Sequence, residues 1–120
     1  MLLRKSLNGV EVLSVEKNKL INTLKQIAKG IKYNHPYVLK IILFGSFSKN
    51  NFTPYSDVDI AIITTQKFKK NFLERQDDFV DYFKKIPFDV NLLVYTKDEF
   101  EKMKKENNAI IREIKRGIIL

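Results

Sequence analysis

The sequence contains no cysteine, so a disulfide framework, a thiolate metal site and a thiol nucleophile are all excluded. This absence fits a reducing compartment, and we expect a cytoplasmic protein. No apolar run approaches the ~18 residues of a membrane span. The N-terminal segment also lacks the apolar core of a signal peptide, so we expect no membrane association.

Glycine and proline are scarce, with 4 and 3 residues, so each one is informative as structural punctuation. The hydrophobic content of 44% fits a globular protein and argues against disorder. A chain of 120 residues is long enough for one small domain with one core. We therefore expect a single domain over residues 1–120.

The net charge of +8 has two interpretations. One is a polyanionic partner, such as nucleic acid or a nucleotide phosphate. The other is compositional bias, because lysine outnumbers arginine 18 to 4, and nucleic-acid sites favour the planar fork of arginine. We prefer the second interpretation and do not expect nucleic acid as a direct substrate.

Three short segments are predicted to be strands, because they are apolar and rich in branched residues. They are Val38–Phe44, Asp57–Thr64 and Phe88–Tyr95. The element order is helix, strand, strand, helix, strand, helix. This order indicates a small α/β (α+β) domain with a mixed sheet and helices mainly on one face.

Helical periodicity accounts for the remaining apolar residues. It predicts a first helix from about Glu16 to about Gly30, and a second over Phe68–Lys85 that Pro87 ends. Thr96 and Glu99 have the spacing of a capping box, which predicts a helix that follows Thr96. The predicted helices after Thr96 are Lys97–Glu106 and a shorter piece, Ala109–Arg116.

Asp57 and Asp59 lie two residues apart on a predicted strand, so both carboxylates share one face. Their charges repel each other, and a proton, a basic group or a metal ion must compensate. If the second and third strands are neighbours, Asp89 adds a third carboxylate. Three oxygen ligands without histidine or cysteine favour Mg²⁺ or Mn²⁺. The alternative is that Asp57 is an ordinary turn residue.

Gly45 and Ser46 follow the first predicted strand directly. A strand that runs into a glycine turn and a helix start presents backbone N–H groups to an anion. Glycine allows close approach of the backbone, and a serine hydroxyl can donate to a phosphate oxygen. An ordinary tight turn is the alternative. Together with the carboxylates, the pair predicts a nucleoside-triphosphate site.

The complete stretch has the form G-S-x(10)-D-x-D, from Gly45 to Asp59. It resembles the signature of the DNA polymerase β-type nucleotidyltransferase superfamily. The short length resembles the minimal nucleotidyltransferase (MNT) branch, whose members are often encoded beside a HEPN-domain partner as a toxin–antitoxin pair. The resemblance runs from about Val38 to Tyr95. Members often have Arg-Gly where this chain has Lys49-Asn50. Lysine keeps the positive charge but lacks the planar, forked guanidinium group of arginine.

The resemblance implies a two-metal site. Asp57 and Asp59 would hold two Mg²⁺ ions (or Mn²⁺), and Asp89 would ligate the catalytic one and act as general base. ATP would be the donor of AMP, and the acceptor would be a tyrosine hydroxyl on a HEPN RNase toxin, so the chain would be an antitoxin. A hetero-oligomer with that toxin is expected. The alternatives are an antitoxin that acts by binding alone, or a nucleotidyltransferase for a small molecule.

The resemblance also implies which residues bind the nucleotide. Gly45 and Ser46 would hold the β- and γ-phosphates, and Lys49 would add a positive charge beside them.

Overall fold

The computed structural model describes residues 9–49, 52–53, 55–65 and 72–120. Its centre is a four-stranded sheet of spatial order β3-β2-β1-β4. The strands are β1 (Val38–Phe44), β2 (Val58–Thr64), β3 (Val90–Thr96) and β4 (Ile118–Ile119). β1 is antiparallel to β2 and β4, whereas β2 and β3 are parallel. The expected small α+β domain with a mixed sheet is confirmed.

The helix α1 (Gly9–Asn34) covers one face of the sheet and begins earlier than the apolar spacing predicted. The helices α2 (Lys97–Glu106) and α3 (Ala109–Lys115) match the predicted ranges to within one residue. None of the helices in the described part of the chain is long and apolar enough to cross a membrane.

Alternating side chains of the strands separate two apolar clusters. On one face, α1 packs on the strands. The buried residues of this cluster include Leu20 and Leu24 of α1 and, from the strands, Ile41, Leu43, Ile60, Ile62, Leu92 and Val94. On the opposite face, α2 and α3 cover the strands; the buried residues there include Ile42, Phe44, Ala61, Ile63, Phe100, Ile111 and Ile114. The longest helix lies on the first face, and the two short helices cover part of the second.

The predicted helix over 68–85 differs from the structure in type. Residues 66–71 lie outside the described residues, and the rest forms two 3₁₀ segments, Phe72–Asp78 and Val80–Phe83. Their backbone bonds link residues three apart, as from the Phe79 N–H to the Gln76 oxygen at 2.9 Å. Residues three apart share a face in either helix type. Apolar spacing therefore could not distinguish the two.

The C-terminal apolar residues, which the sequence left unassigned, complete the sheet. Ile118 and Ile119 pair with Leu43 and Ile42 of β1. The Leu120 N–H also donates to the Ile41 oxygen at 2.9 Å. The end of the chain thereby covers one edge of β1.

The predicted capping box is present at the start of α2. The Glu99 N–H donates to the Thr96 hydroxyl at 3.1 Å, and the Thr96 N–H donates to Glu99 Oε1 at 2.8 Å. Arg75 donates to both oxygens of Glu99, at 2.5 and 3.1 Å. Burial favours a raised pKa for Glu99, but the hydrogen bonds from Arg75 and Thr96 outweigh it, so the pKa lies below its ordinary value.

This network makes the stability of the protein pH-dependent. Because the folded-state pKa of Glu99 is lower than 4.5, its contribution is complete above that pH and is lost as the pH falls through the folded-state value. We expect Glu99→Gln to lower the free energy of unfolding at neutral pH by about 1 kcal/mol, discounted for partial exposure. Urea unfolding at pH 7 and at about pH 3 measures the difference, which should shrink at the lower pH.

Glu101→Gln is the matched control on the same helix. Glu101 forms an exposed pair with Lys104 at 3.2 Å, so its loss should change stability by less than about 0.5 kcal/mol. An equal effect of Glu99→Gln at both pH values would contradict the assignment of the pH dependence to Glu99.

Candidate active site

One edge of the sheet collects the polar residues that the sequence singled out. At this edge β1 ends and both β2 and β3 begin. Phe44, the last residue of β1, pairs with Asp59, and Asp59 in turn pairs with Asn91 of β3. Asp57 directly precedes β2. The fold therefore brings the Gly-Ser turn and the aspartate pair to one place.

Gly45 lies directly against Asp59. Its φ of 77° is in the left-handed region that side chains disfavour. A Cβ added at Gly45 would collide with Asp59 Oδ2. Only glycine therefore allows the turn to approach this carboxylate so closely, which gives a physical reason for the glycine at the head of the motif.

The turn after Gly45 is closed by short-range hydrogen bonds. The Ser48 N–H and hydroxyl both donate to the Gly45 oxygen, at 3.1 and 2.8 Å. The Lys49 N–H donates to the Ser46 oxygen at 3.2 Å. This is a turn rather than the helical start that we expected. Within the described residues the hydroxyl of Ser46 has no hydrogen-bond partner, so it can donate to an anion.

Phe47 anchors this turn to the rest of the site. Its side chain is completely buried, stacks on Phe52 with 4.6 Å between ring centroids, and meets Phe88 edge-on at 5.0 Å. Phe88 immediately precedes Asp89 and the start of β3. The aromatic contacts therefore fix the turn relative to both neighbouring strands.

An amide holds the two carboxylates of the D-x-D pair. Asn91 Nδ2 donates to Asp57 Oδ2 at 3.2 Å and to Asp59 Oδ1 at 3.1 Å. Burial raises the pKa of Asp59; the hydrogen bond from Asn91 opposes this, but the negative charge of Asp57 adds to the rise. The net effect is a pKa above its ordinary value. Burial of Asp59 is the main cause of this rise, and the charge of Asp57 is a smaller one.

Asp89 is placed differently from the two other aspartates. Its backbone oxygen accepts from the Val58 N–H at 2.8 Å, and its side chain is exposed. The described residues contain no group of three or more histidine, cysteine, aspartate or glutamate side chains arranged to hold a metal ion. The three aspartates nevertheless lie at one edge of the sheet, because the parallel register pairs Asn91 with Asp59 and carries Asp89 to the level of Asp57.

Asp89 and Asp57 nevertheless line one cavity at the same edge. Its volume is about 360 Å³, within the range of small-ligand sites. The other lining residues are Tyr55, Ser56, Ile86, Pro87 and Phe88. The side chain of Tyr55 is 94% exposed, so it stands in solvent beside the cavity.

Lys49 is turned toward α3. Its ammonium pairs with Glu113 Oε2 at 2.5 Å, and both side chains are more than a third exposed. Such a pair contributes little to stability. Lys49 can therefore exchange Glu113 for a phosphate at little cost.

Asn91 is the site residue that sequence reasoning did not assign. The alternation of side chains along the predicted strand Phe88–Tyr95 puts Asn91 on the same face as Asp89. The pairing register between two strands joined by a long crossover was not available from that pattern. The alternation was therefore the only signal that could have indicated its place in the site.

The fold is a small α+β domain whose sheet edge sets a glycine turn against a carboxylate pair. The sequence profile of the nucleotidyltransferase domain family matches residues 24–120, and the chain belongs to that family. The crystal structure of a "putative nucleotidyltransferase" from Sulfolobus solfataricus has the same fold, with a TM-score of 0.65 and 16% sequence identity. The similarity covers 89% of this chain and 84% of that one. No curated protein matches the sequence.

Proposed function

We propose that this nucleotidyltransferase transfers AMP from ATP to a tyrosine hydroxyl of a HEPN-domain RNase toxin, and that it is the toxin's antitoxin in the cytoplasm. The observation that supports the chemistry best is the contact between Gly45 and Asp59. It sets the turn that we propose to bind the phosphates beside a carboxylate pair. The resemblance of the motif to the MNT branch supports the choice of acceptor.

The nucleotide phosphates would bind at the turn after β1. The Ser46 hydroxyl is a donor available there, whereas the N–H groups of Ser48 and Lys49 already donate within the turn. Lys49 would leave Glu113 and add positive charge to the β- and γ-phosphates. This arrangement would orient the α-phosphorus toward the carboxylates.

The carboxylate pair suits a hard divalent cation. The site offers the oxygens of Asp57 and Asp59, and oxygen ligands are those that Mg²⁺ or Mn²⁺ prefers. Burial, with a smaller contribution from the charge of Asp57, raises the pKa of Asp59, and a bound cation would favour its charged form. When bound, two such ions would neutralise the triphosphate and lower the pKa of the attacking hydroxyl.

The transfer itself is a displacement at the α-phosphorus. The acceptor oxygen bonds to this phosphorus, the bond to the bridging oxygen breaks, and pyrophosphate leaves. Asp89 would take the proton of the acceptor hydroxyl, because it is exposed in the cavity that it shares with Asp57. The chain's own contribution would be mainly orientation of the two reactants.

A second function is an antitoxin that acts by binding alone. It is favoured by one observation: within the described residues, no three acidic or histidine side chains form a metal-holding group. In that case the edge site would have no catalytic role.

One labelling experiment separates the two. The protein is incubated with α-³²P-ATP, Mg²⁺ and the toxin encoded beside it, and the label is mapped on the toxin. We expect label on a tyrosine with the wild type and none with Asp57→Ala/Asp59→Ala. The matched control is Asp77→Ala/Asp81→Ala, which replaces two exposed aspartates of the 3₁₀ segments. If no label is transferred while Asp57→Ala/Asp59→Ala still suppresses toxicity, the protein acts by binding.

A further inference from the structure

We propose that Tyr55 is itself an acceptor of AMP, so that the protein adenylylates its own chain and thereby limits its own activity. This inference rests on the proposed function, because it uses the same donor, the same carboxylates and the same kind of acceptor hydroxyl. Tyr55 lines the cavity at the sheet edge together with Asp57 and Asp89. A tyrosine hydroxyl therefore belongs to the cavity in which we place the chemistry.

The other tyrosines of the chain are less suited to this role. The chain has five, all within the described residues. Two of them use their hydroxyls in hydrogen bonds at 2.9 Å and a third is buried; these are Tyr37, Tyr82 and Tyr95. Tyr33 is 86% exposed but does not line the cavity. Tyr55 is 94% exposed, and within the described residues its hydroxyl has no hydrogen-bond partner.

A turn fixes the backbone of Tyr55 beside the carboxylates. The Ser56 N–H donates to the Thr53 oxygen at 3.0 Å, and the Thr53 N–H donates to Ser56 Oγ at 2.8 Å. The Tyr55 N–H donates to the Thr53 hydroxyl oxygen at 3.2 Å. The backbone of Tyr55 is thus held two residues before Asp57. Because the ring itself is exposed, it can turn into the cavity without any loss of core packing.

The lining of the cavity suits the side chain of a tyrosine. Its polar end carries the carboxylates of Asp57 and Asp89, and its apolar wall consists of Ile86, Pro87 and Phe88. An apolar wall can pack against the face of an aromatic ring, and a carboxylate can accept the proton of a hydroxyl. The ring and the hydroxyl of Tyr55 would therefore each meet a matching surface there.

The chemical step is the proposed transfer with a different acceptor. Tyr55 Oη bonds to the α-phosphorus of ATP, the bond from this phosphorus to the bridging oxygen breaks, and pyrophosphate leaves. Asp89 takes the proton of the hydroxyl. The product carries AMP on Tyr55, beside the cavity that any other acceptor must enter. Each chain that has modified itself is therefore closed to further transfer.

Incubation of the full chain with α-³²P-ATP and Mg²⁺, without toxin, tests the proposal. Peptide mass spectrometry should map AMP to Tyr55. The rate per chain should not change when the protein is diluted, since the reaction is intramolecular. Tyr55→Phe keeps the ring and should lower self-labelling by about 10²-fold, because it removes the oriented hydroxyl. Tyr33→Phe is the matched control, since Tyr33 is similarly exposed, and it should label itself like the wild type.

Preincubation with ATP tests the self-limitation. After removal of free ATP, the preincubated wild type should label the toxin more slowly, in proportion to the fraction of chains that carry AMP. Preincubation should not slow toxin labelling by Tyr55→Phe. A wild type that carries AMP on Tyr55 and still labels the toxin at its original rate would contradict the self-limitation.

The outcomes distinguish this inference from the proposed function. Label on the toxin but none on Tyr55, equal label on Tyr33 and Tyr55, or a rate per chain that rises with protein concentration would each overturn the inference. Self-labelling that persists in Asp57→Ala/Asp59→Ala would also overturn it. If label reaches Tyr55 but never the toxin, the proposed acceptor is wrong and the self-modification stands. Absence of label on both proteins would overturn both.

Discussion

Asp59→Asn is expected to abolish nucleotidyl transfer while it stabilises the metal-free protein. Asp59 pairs with β1, contacts Gly45 and shares the Asn91 amide with Asp57. Without this charge the site would hold the metal ions less well, and the transition state would lose several kcal/mol of stabilisation. The transfer rate should therefore fall by about 10³-fold or more, since about 1.4 kcal/mol corresponds to a factor of ten.

The gain in stability follows from the sign of the pKa shift. The folded-state pKa of Asp59 is raised above 3.8, so the folded protein holds its proton more tightly than the unfolded chain. The wild type therefore loses stability as the pH rises through 3.8 to the folded-state value. Asp59→Asn, which has no charge at any pH, should be the more stable protein at neutral pH, and this advantage should shrink below pH 3.8.

Two measurements check this result. The initial rate of labelled AMP transfer gives the catalytic effect, and thermal unfolding in EDTA at several pH values gives the stability. Asp81→Asn is the control, because Asp81 forms only an exposed surface pair with Lys84 at 3.3 Å and should change neither quantity much. A transfer rate in Asp59→Asn of about a tenth of the wild-type rate or more would contradict the role of Asp59.

Gly45→Ala is expected to have the second largest effect. An alanine at φ 77° is strained, and its Cβ would collide with the Asp59 carboxylate. We expect the free energy of unfolding to fall by about 1–3 kcal/mol. Because the turn and the carboxylate must move apart, transfer should slow by about 10²-fold.

The chain offers a matched control in Gly30→Ala. Gly30 lies within α1, and an added Cβ would meet nothing within 4 Å. Alanine is the better helix former, so this change should stabilise the protein by about 0.5–1 kcal/mol and leave transfer unchanged. Urea unfolding and the labelling assay measure both variants. If Gly45→Ala resembled Gly30→Ala in both assays, the close contact with Asp59 would have no functional importance.

The sequence predicted those features that depend on local pattern. The three main strands follow from short apolar runs, and α2 follows from the capping box at Thr96. The shared face of Asp57 and Asp59 follows from strand alternation alone. These predictions needed no knowledge of which elements are neighbours in space.

The features that the sequence did not predict depend on distant contacts. The place of Asn91 opposite Asp59 is set by the register of two parallel strands, and Phe88 of the crossover meets Phe47 of the turn. The collision that restricts residue 45 to glycine likewise arises only when β1 lies beside β2. Local periodicity carries no information about such pairings.

The parallel pairing of β2 and β3 has a consequence for the order of folding. In the antiparallel pair, Phe44 and Asp59 are 15 residues apart, whereas Asp59 and Asn91 are 32 apart and Ile42 and Ile119 are 77 apart. Contacts between residues close in sequence form with less loss of chain entropy. The β1–β2 pair should therefore form first, with Gly45 already against Asp59. The amide of Asn91 arrives later, and the C-terminal strand completes the sheet last.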